Sequence, residues 1–220
     1  QPGPPWSYSQ LKNAETCLKR WYHYSIQKDV REPESEALRE GNALHKAFEN
    51  RIVYGREMPA AYAKYEVMLG KVMAPPGVVV GEQKLAITGS FQPCTYFDKA
   101  VWFRTVIDAL RIQGDQATIL DWKTGKVADD PTQLELMAAA TFIHYPTVAR
   151  VKAGLVFVKF GQVVNAEFTR DSQAEIWGEV LPRLRAMRTA RAQQHYPPKP
   201  SGLCRRHCAV ATCAYHGKGM

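Results

Sequence analysis

The stretch from residue 75 to residue 170 constrains the fold most, because runs of β-branched residues there replace the helical spacing found before it. Five runs are predicted strands: 78–87, 101–112, 116–122, 150–159 and 162–169. The turn QGDQ predicts a hairpin between the second and third of these runs, and residues 131–145 are a predicted helix. A strand, a helix and another strand in this order form a βαβ unit. The chain is therefore predicted to have an α/β fold.

The length and composition favour a single domain. A chain of 220 residues with 45% hydrophobic residues can bury a substantial core. We expect one domain over residues 1–220, including a helix over residues 7–26. Its predicted parts are a helical part over 7–72, the sheet core over 75–170, a C-terminal helix over 171–194 and a cysteine-rich tail over 195–220.

The charge of the chain favours a polyanionic partner. Lysine and arginine exceed aspartate and glutamate, which gives a formal net charge of +8. Nucleic acid is the favoured partner, and an anionic membrane surface is the alternative. Because no apolar run approaches the roughly 20 residues that span a bilayer, and because the first residues do not resemble a signal peptide, we expect a cytoplasmic protein of a bacterial or phage-infected cell.

The segment ILDWKTGK, residues 119–126, places a carboxylate and an ammonium group at the end of a predicted strand. Asp108 ends the preceding run, so the hairpin brings the carboxylates of Asp108 and Asp121 to neighbouring positions. Close carboxylates repel each other, and a hard divalent cation removes this repulsion. Lys123 projects to the same side of the strand as Asp121, where it could stabilise negative charge on a phosphate. The alternative is a solvated ion pair before a turn.

The helical segment GNALHKAFE places Gly41, His45 and Glu49 on one face. An imidazole on such a face is a candidate metal ligand. The alternative is a histidine with a purely structural role.

These motifs, in their order along the chain, resemble the RecB-like branch of the PD-(D/E)xK nuclease superfamily over about residues 7–216. The resemblance implies a restriction-endonuclease-like core, a central mixed β-sheet flanked by helices. It implies that Asp108 and Asp121 bind Mg²⁺ or Mn²⁺, with His45 and the backbone carbonyl of Trp122 as further ligands. It also implies that Lys123 is catalytic. Glu82 is an additional candidate ligand, or else a solvated strand residue.

Gln133 begins a segment that is similar to the family's Q-L-x-x-Y helix motif, which lines the DNA channel. Met137 stands where that motif has tyrosine, so the contact of the tyrosine is not implied. The alternative for Gln133 is an ordinary position on the helix surface.

The tail carries three cysteines in the pattern C-x3-C-x4-C, and a fourth, Cys17, lies near the other end of the chain. This distribution resembles the iron-sulfur members of the family, such as AddB-type helicase-nucleases and CRISPR-adaptation nucleases, whose tail pattern C-x2-C-x5-C has the same span. The resemblance implies that a [4Fe-4S] cluster joins the N-terminal helices to the tail. Its ligands would be Cys17, Cys204, Cys208 and Cys213.

Other states of the cysteines are open from the sequence. The three tail cysteines could bind zinc together with His207 or His216, or they could be free thiols. Cys94 has no cysteine near it in the sequence and is predicted to be an isolated thiol.

Basic and aromatic residues are close together near both ends of the chain and could contact phosphates and unstacked bases. The candidates are Arg20, Trp21, Tyr22, Arg205 and Arg206. The alternative is a solvated basic face with core aromatics.

Together these features predict a metal-dependent hydrolase of DNA, an exonuclease rather than an endonuclease, acting on single strands or free ends. The resemblance is to small stand-alone proteins of phage genomes, which implies a role in phage replication or recombination. One alternative is an inactive DNA-binding or recruitment module with a nuclease fold. Another is an interaction protein with a zinc-binding tail.

Overall fold

The computed structural model describes residues 5–31, 34–127 and 130–218. The α-helices are α1 (Tyr8–Thr16), α2 (Leu18–Trp21), α3 (Glu36–Tyr54), α4 (Glu66–Met73), α5 (Thr132–His144), α6 (Ser172–Arg183), α7 (Arg185–Ala192) and α8 (Leu203–Arg206). A π-helix, Tyr22–Gln27, follows α2, and a 3₁₀-helix, Ala60–Tyr65, precedes α4. The strands are β1 (Val78–Thr88), β2 (Pro93–Cys94), β3 (Val101–Gln113), β4 (Gln116–Lys123), β5 (Arg150–Phe157) and β6 (Gln162–Thr169).

The strands of the described residues form one six-stranded mixed sheet in the order β2-β1-β3-β4-β5-β6. Neighbours pair antiparallel except β4 and β5, which are parallel and are connected through α5. A parallel pair needs such a crossover, so the predicted βαβ unit and the hairpin between β3 and β4 are both confirmed. The mixed sheet with flanking helices confirms the predicted α/β fold.

The chain forms two compact units. The first contains Ser35–Ile176 and therefore the whole sheet, and the second combines Trp6–Glu34 with the segment that starts at Trp177. The predicted helical part over 7–72 is thus divided between the two units. The single domain over 1–220 stays a prediction.

Helix α3 is anchored to the sheet through its apolar face. Ser35 caps the helix by accepting a hydrogen bond from the backbone N–H of Leu38, and Gly55 ends it with a positive φ of 64°. Phe48 is buried and meets the ring of Trp122 edge to face, with the centroids 5.2 Å apart. Burying a side chain of this size contributes about 1.5–3 kcal/mol. The packing fixes the position of the neighbouring turns of α3 relative to β4.

Two predicted helices are interrupted. The helix expected over 7–26 breaks at Cys17, which has an extended backbone between α1 and α2. The helix expected over 171–194 divides into α6 and α7 at Leu184, two residues after Pro182. Proline lacks the N–H that the helix ladder needs and clashes with the preceding turn, which explains this second break.

A helix that crosses a bilayer needs about 20 consecutive apolar residues. None of the described helices is both long enough and apolar enough to cross a bilayer.

Candidate active site

Glu82 of β1 lies opposite Asp108 of β3. Gly81 pairs with Ala109 and Gln83 pairs with Ile107, so the register of the two strands is the same on both sides of Glu82 and Asp108. The φ of Glu82 is 50°, in the left-handed region that residues other than glycine rarely adopt. The backbone of β1 therefore departs from strand geometry at the acidic residue that faces Asp108.

Glu82, Asp108 and His45 form the core of the site. Each offers a ligand atom, and these atoms all lie within 4.8 Å of one another. The Nδ1 atom of His45 is 3.4 Å from Oδ2 of Asp108. Within the described ranges, this is the only group of three or more His, Cys, Asp or Glu side chains that meets this distance limit.

The hairpin fixes Asp108 beside β4. The β3–β4 ladder ends at the pair of Ala109 and Leu120, and the next residues on the two strands are Asp108 and Asp121, the two aspartates identified from the sequence. The backbone N–H of Trp122 donates a hydrogen bond of 2.7 Å to Oδ2 of Asp108. Asp108 is 8% exposed and Asp121 is 5% exposed, so both carboxylates are largely removed from water.

Asp121, Lys123 and Gln133 are joined by one ion pair and two hydrogen bonds. The ammonium nitrogen of Lys123 is 2.6 Å from Oδ2 of Asp121 and donates to Oε1 of Gln133 at 2.8 Å. The side-chain amide of Gln133 donates to Oδ1 of Asp121 at 2.7 Å. The first turn of α5 thus holds both the carboxylate and the ammonium group that the sequence motif supplies.

The electrostatics of the site show an excess of negative charge. Burial raises the pKa of Asp121 from its ordinary 3.8 to about 6, and the negative charge of Asp108 also raises it, against the lowering by Lys123. Burial, followed by the charges of Asp108 and Glu49, raises the pKa of Glu82. The hydrogen bond with Asp108 raises the pKa of His45. A divalent cation would relieve this repulsion, so the donor set of imidazole and carboxylates fits such an ion.

Gly41 allows α3 to approach the turn that follows β4. A Cβ atom at this position would lie 3.0 Å from Oγ1 of Thr124. Close packing against Thr124, the residue after Lys123, therefore explains the glycine at position 41. Glu49, on the same face of α3, forms an ion pair of 2.7 Å with Lys46.

The structure brings together most of the site that the sequence predicts. His45, Glu82, Asp108, Asp121 and Lys123 lie at one location in the first unit. The carbonyl of Trp122 stays a predicted ligand, since the contact seen for this residue is made by its N–H. The contacts of Gln133 with Asp121 and Lys123 were not predicted, since the similarity to the Q-L-x-x-Y motif implied a contact with DNA instead.

The second unit brings the four predicted cluster cysteines around one cavity. This cavity is lined by Cys17, Cys204, Cys208 and Cys213 among other residues. The sulfur of Cys17 accepts a hydrogen bond of 3.3 Å from the backbone N–H of Lys199, and the sulfur of Cys204 accepts one of 3.4 Å from Ser201. Neither His207 nor His216 is among the described residues that line it.

The sulfur separations differ from those of a zinc site. In the described part of the chain, no three cysteine sulfurs lie within 4.8 Å of one another. Tetrahedral zinc with Zn–S bonds of about 2.3 Å would hold its sulfurs about 3.8 Å apart. Cys94 lies in the first unit, on β2, apart from this cavity.

The remaining predicted DNA contacts also lie in the second unit. The guanidinium of Arg20 lies over the ring of Tyr24, and the ring of Tyr22 stacks on Tyr196 with centroids 4.4 Å apart. Arg205 and Arg206 are exposed on α8. Trp21 is only 2% exposed, so its ring offers no face to a base, and the predicted stacking of a base on Trp21 is corrected.

Comparisons with known proteins agree with this geometry. The family model of the PD-(D/E)XK nuclease superfamily matches residues 5–213. Among curated proteins, no sequence matches the chain. The fold is similar to a solved structure from Eubacterium rectale named "Putative exonuclease", with a TM-score of 0.54, 12% sequence identity and coverage of 98% of this chain and 89% of the other. The crystal structure of SSO0001 is less similar, with a TM-score of 0.44, 11% identity and the same coverage. Since the family model spans nearly the whole sequence, the chain belongs to the PD-(D/E)XK nuclease superfamily.

Proposed function

We propose that this protein is a divalent-metal-dependent nuclease that hydrolyses phosphodiester bonds in DNA. The observation that carries the proposal is the assembly of His45, Glu82 and Asp108 around one point, with Asp121 and Lys123 of the superfamily motif beside it. If Asp121 and Lys123 formed only a structural ion pair, nothing would require Glu82 and Asp108 to lie close to the imidazole of His45 beside them.

The residues that would hold the cation are His45, Glu82, Asp108 and Asp121, with the carbonyl of Trp122 as a further candidate ligand. Carboxylate oxygens suit both Mg²⁺ and Mn²⁺, and the imidazole favours Mn²⁺. When bound, such an ion supplies Lewis acidity toward the phosphate and neutralises negative charge.

Lys123 is the proposed electrostatic catalyst. Its ammonium group is held by Asp121 and Gln133, so its direction is set before substrate arrives. A positioned positive charge stabilises the negative charge that develops on a non-bridging phosphate oxygen during in-line attack of water. Asp108 is held by the N–H of Trp122, which keeps the carboxylate next to His45.

The finer specificity of the proposal is exonucleolytic action on single strands or DNA ends, with a role in phage replication or recombination. Its support is the resemblance of the sequence motifs to RecB-like nucleases. In this proposal Arg20, Tyr22, Arg205 and Arg206 contact the phosphates and bases of the strand. Gln133 is assigned to positioning Lys123, because its side chain is engaged by that residue and by Asp121.

The second unit is proposed to hold a [4Fe-4S] cluster on Cys17, Cys204, Cys208 and Cys213. The support is that these four residues line one cavity, that neither candidate histidine does, and that no three of the described cysteine sulfurs lie within 4.8 Å of one another, as zinc would hold them. A cluster with four thiolate ligands would connect the two separate segments of this unit.

The experiment that tests the nuclease is incubation of end-labelled single-stranded and double-stranded DNA with the protein and Mg²⁺ or Mn²⁺. We expect metal-dependent cleavage, EDTA inhibition and a loss of about 100-fold to 1,000-fold in rate for Lys123→Ala. Lys126→Ala is the matched control, because Lys126 is exposed in the loop that follows β4. Absence of cleavage by the parent protein with either metal would instead support an inactive DNA-binding module.

A further inference from the structure

A basic and aromatic surface lies on the first unit, outside the residues already assigned. The ring of Tyr96 has the guanidinium of Arg104 at 5.2 Å from its centroid and the ammonium of Lys84 at 5.8 Å. Phe97 meets the ring of Tyr96 edge to face at 5.2 Å and is 80% exposed. We refer to Lys84, Tyr96, Phe97 and Arg104 as the Tyr96 patch.

The Tyr96 patch is positioned by the same strands that carry the catalytic acids. Side chains alternate along a strand, so Arg104, Val106 and Asp108 project from one face of β3. Lys84 pairs with Val106, two residues along β1 from Glu82. Four strand residues span about 13 Å, which places Arg104 at a distance from Asp108 that a few nucleotides of an unpaired strand can cover.

The positive charges of the patch are available to a ligand. In the ranges that the structure describes, neither Lys84 nor Arg104 forms an ion pair with a carboxylate, and Lys84 is exposed. Both cations instead lie against an aromatic ring, an arrangement worth about 0.5–1 kcal/mol at exposed sites. Phe97 packs edge to face on Tyr96, the ring that both cations contact, and its own side chain stays largely exposed.

We propose that the Tyr96 patch is a binding subsite for the unpaired DNA strand that extends from the catalytic centre. Lys84 and Arg104 contact backbone phosphates, and Phe97, supported by Tyr96, stacks on a base. Sequence-tolerant binding of single strands uses this combination of cations and aromatic faces. The inference rests on the proposed nuclease function and adds to it the path of the substrate on the sheet.

The test measures, by fluorescence anisotropy, the binding of labelled oligothymidylates to the 220-residue chain in EDTA, where cleavage is blocked. For an oligonucleotide of about 12 residues, we expect Phe97→Ala to weaken binding about 5-fold to 100-fold, the loss typical of one stacked base. In a plot of log K against the logarithm of the salt concentration, Lys84→Gln and Arg104→Gln should each make the negative slope shallower by about 0.7. Phe160→Ala is the matched control, because Phe160 is 53% exposed on the β5–β6 turn.

Length dependence distinguishes a substrate subsite from a general effect on the fold. A dinucleotide bound at the catalytic centre is too short to reach the patch, so parent and Phe97→Ala should bind it equally. Equal affinity of these two proteins for the longer strand, or failure of the parent to bind it, would overturn the subsite. A cleavage assay run in parallel separates the two proposals. If the parent cleaves DNA and Phe97→Ala binds the longer strand as tightly as the parent does, only the subsite is overturned. Weakened strand binding by Phe97→Ala without any cleavage by the parent overturns only the nuclease.

Discussion

The side-chain carbonyl of Gln133 accepts a hydrogen bond of 2.8 Å from the ammonium group of Lys123. The amide group of the same side chain donates to Asp121 at 2.7 Å. Gln133 thus bridges two oppositely charged groups and fixes the distance and direction between them. It lies in the first turn of α5, whose next turns are buried against the sheet, so the bridge is rigidly supported.

Replacing Gln133 with alanine should lower kcat for DNA cleavage about 10-fold to 100-fold, the scale expected when a catalytic group is displaced by about 1 Å. KM for DNA should change little, because the lost contacts are made to the protein. Steady-state kinetics checks this, with Gln162→Ala on exposed β6 as the control. A rise in KM alone would assign Gln133 to the DNA channel, as the sequence motif implies.

Replacing His45 with alanine should weaken Mn²⁺ binding by at least about 10-fold, a loss seen even for residues that only support a metal ligand. The reason is the contact of His45 with Asp108 within the group of candidate ligands. Titrations of Mn²⁺ followed by thermal shift and by cleavage give two independent readouts. Exposed His195 supplies the control variant. Superimposable titrations of His45→Ala and the parent would leave His45 with a structural role.

Asp121→Asn should stabilise the metal-free protein at neutral pH. The pKa of Asp121 is raised to about 6 from an ordinary 3.8, chiefly by burial, so the folded state binds more protons than the unfolded state between these values. Stability of the parent therefore falls as pH rises from about 4 through about 6.

Denaturant unfolding in EDTA measures this difference. At pH 7.5 we expect the free energy of unfolding of the variant to be about 1–3 kcal/mol larger than that of the parent. Near pH 4 we expect the two proteins to have equal free energies of unfolding. Asp115→Asn, in the exposed turn between β3 and β4, should show no such pH-dependent gain. A destabilised Asp121→Asn variant at neutral pH would contradict the charge argument.

Cys17→Ser separates the two metal chemistries of the second unit. If the cavity holds an iron-sulfur cluster, anaerobically purified parent protein is brown and contains iron and sulfide. The variant should lose most of both and unfold at a lower temperature, because metal-binding free energy is partly folding free energy. Cys94→Ser, outside the cavity, is the control. Colourless parent protein with stoichiometric zinc that Cys17→Ser retains would establish a local zinc site in the tail.

The sequence predicts the elements whose signals are local. The predicted hairpin was enough to put Asp108 and Asp121 on adjacent strands, and alternation along β4 was enough to place Lys123 on the same side as Asp121. The left-handed backbone conformation of Glu82 has no comparable signal in the sequence, and the register with β3 is the same on both sides of it. The interruption at Cys17 and the burial of Trp21 likewise depend on tertiary packing, which overrides the continuous helical spacing of that segment.

The bridge of Gln133 shows a different limit. The helix motif made Gln133 a candidate for DNA contact, but its observed contacts depend on where α5 returns to the sheet. That return is set by the crossover between β4 and β5, a long-range feature of the fold. The sequence therefore predicted which residues lie together better than it predicted which of them contact each other.

The composition of the second unit from two distant segments has a consequence for biosynthesis. Cys17 and Lys199 are 182 positions apart, yet the backbone of one contacts the sulfur of the other. The whole sheet lies within one continuous segment, Ser35–Ile176, whereas the four-cysteine cavity cannot exist until the last of its residues has emerged from the ribosome. Synthesis thus imposes an order of maturation in which the hydrolytic centre can assemble first and the cysteine cavity closes at the end.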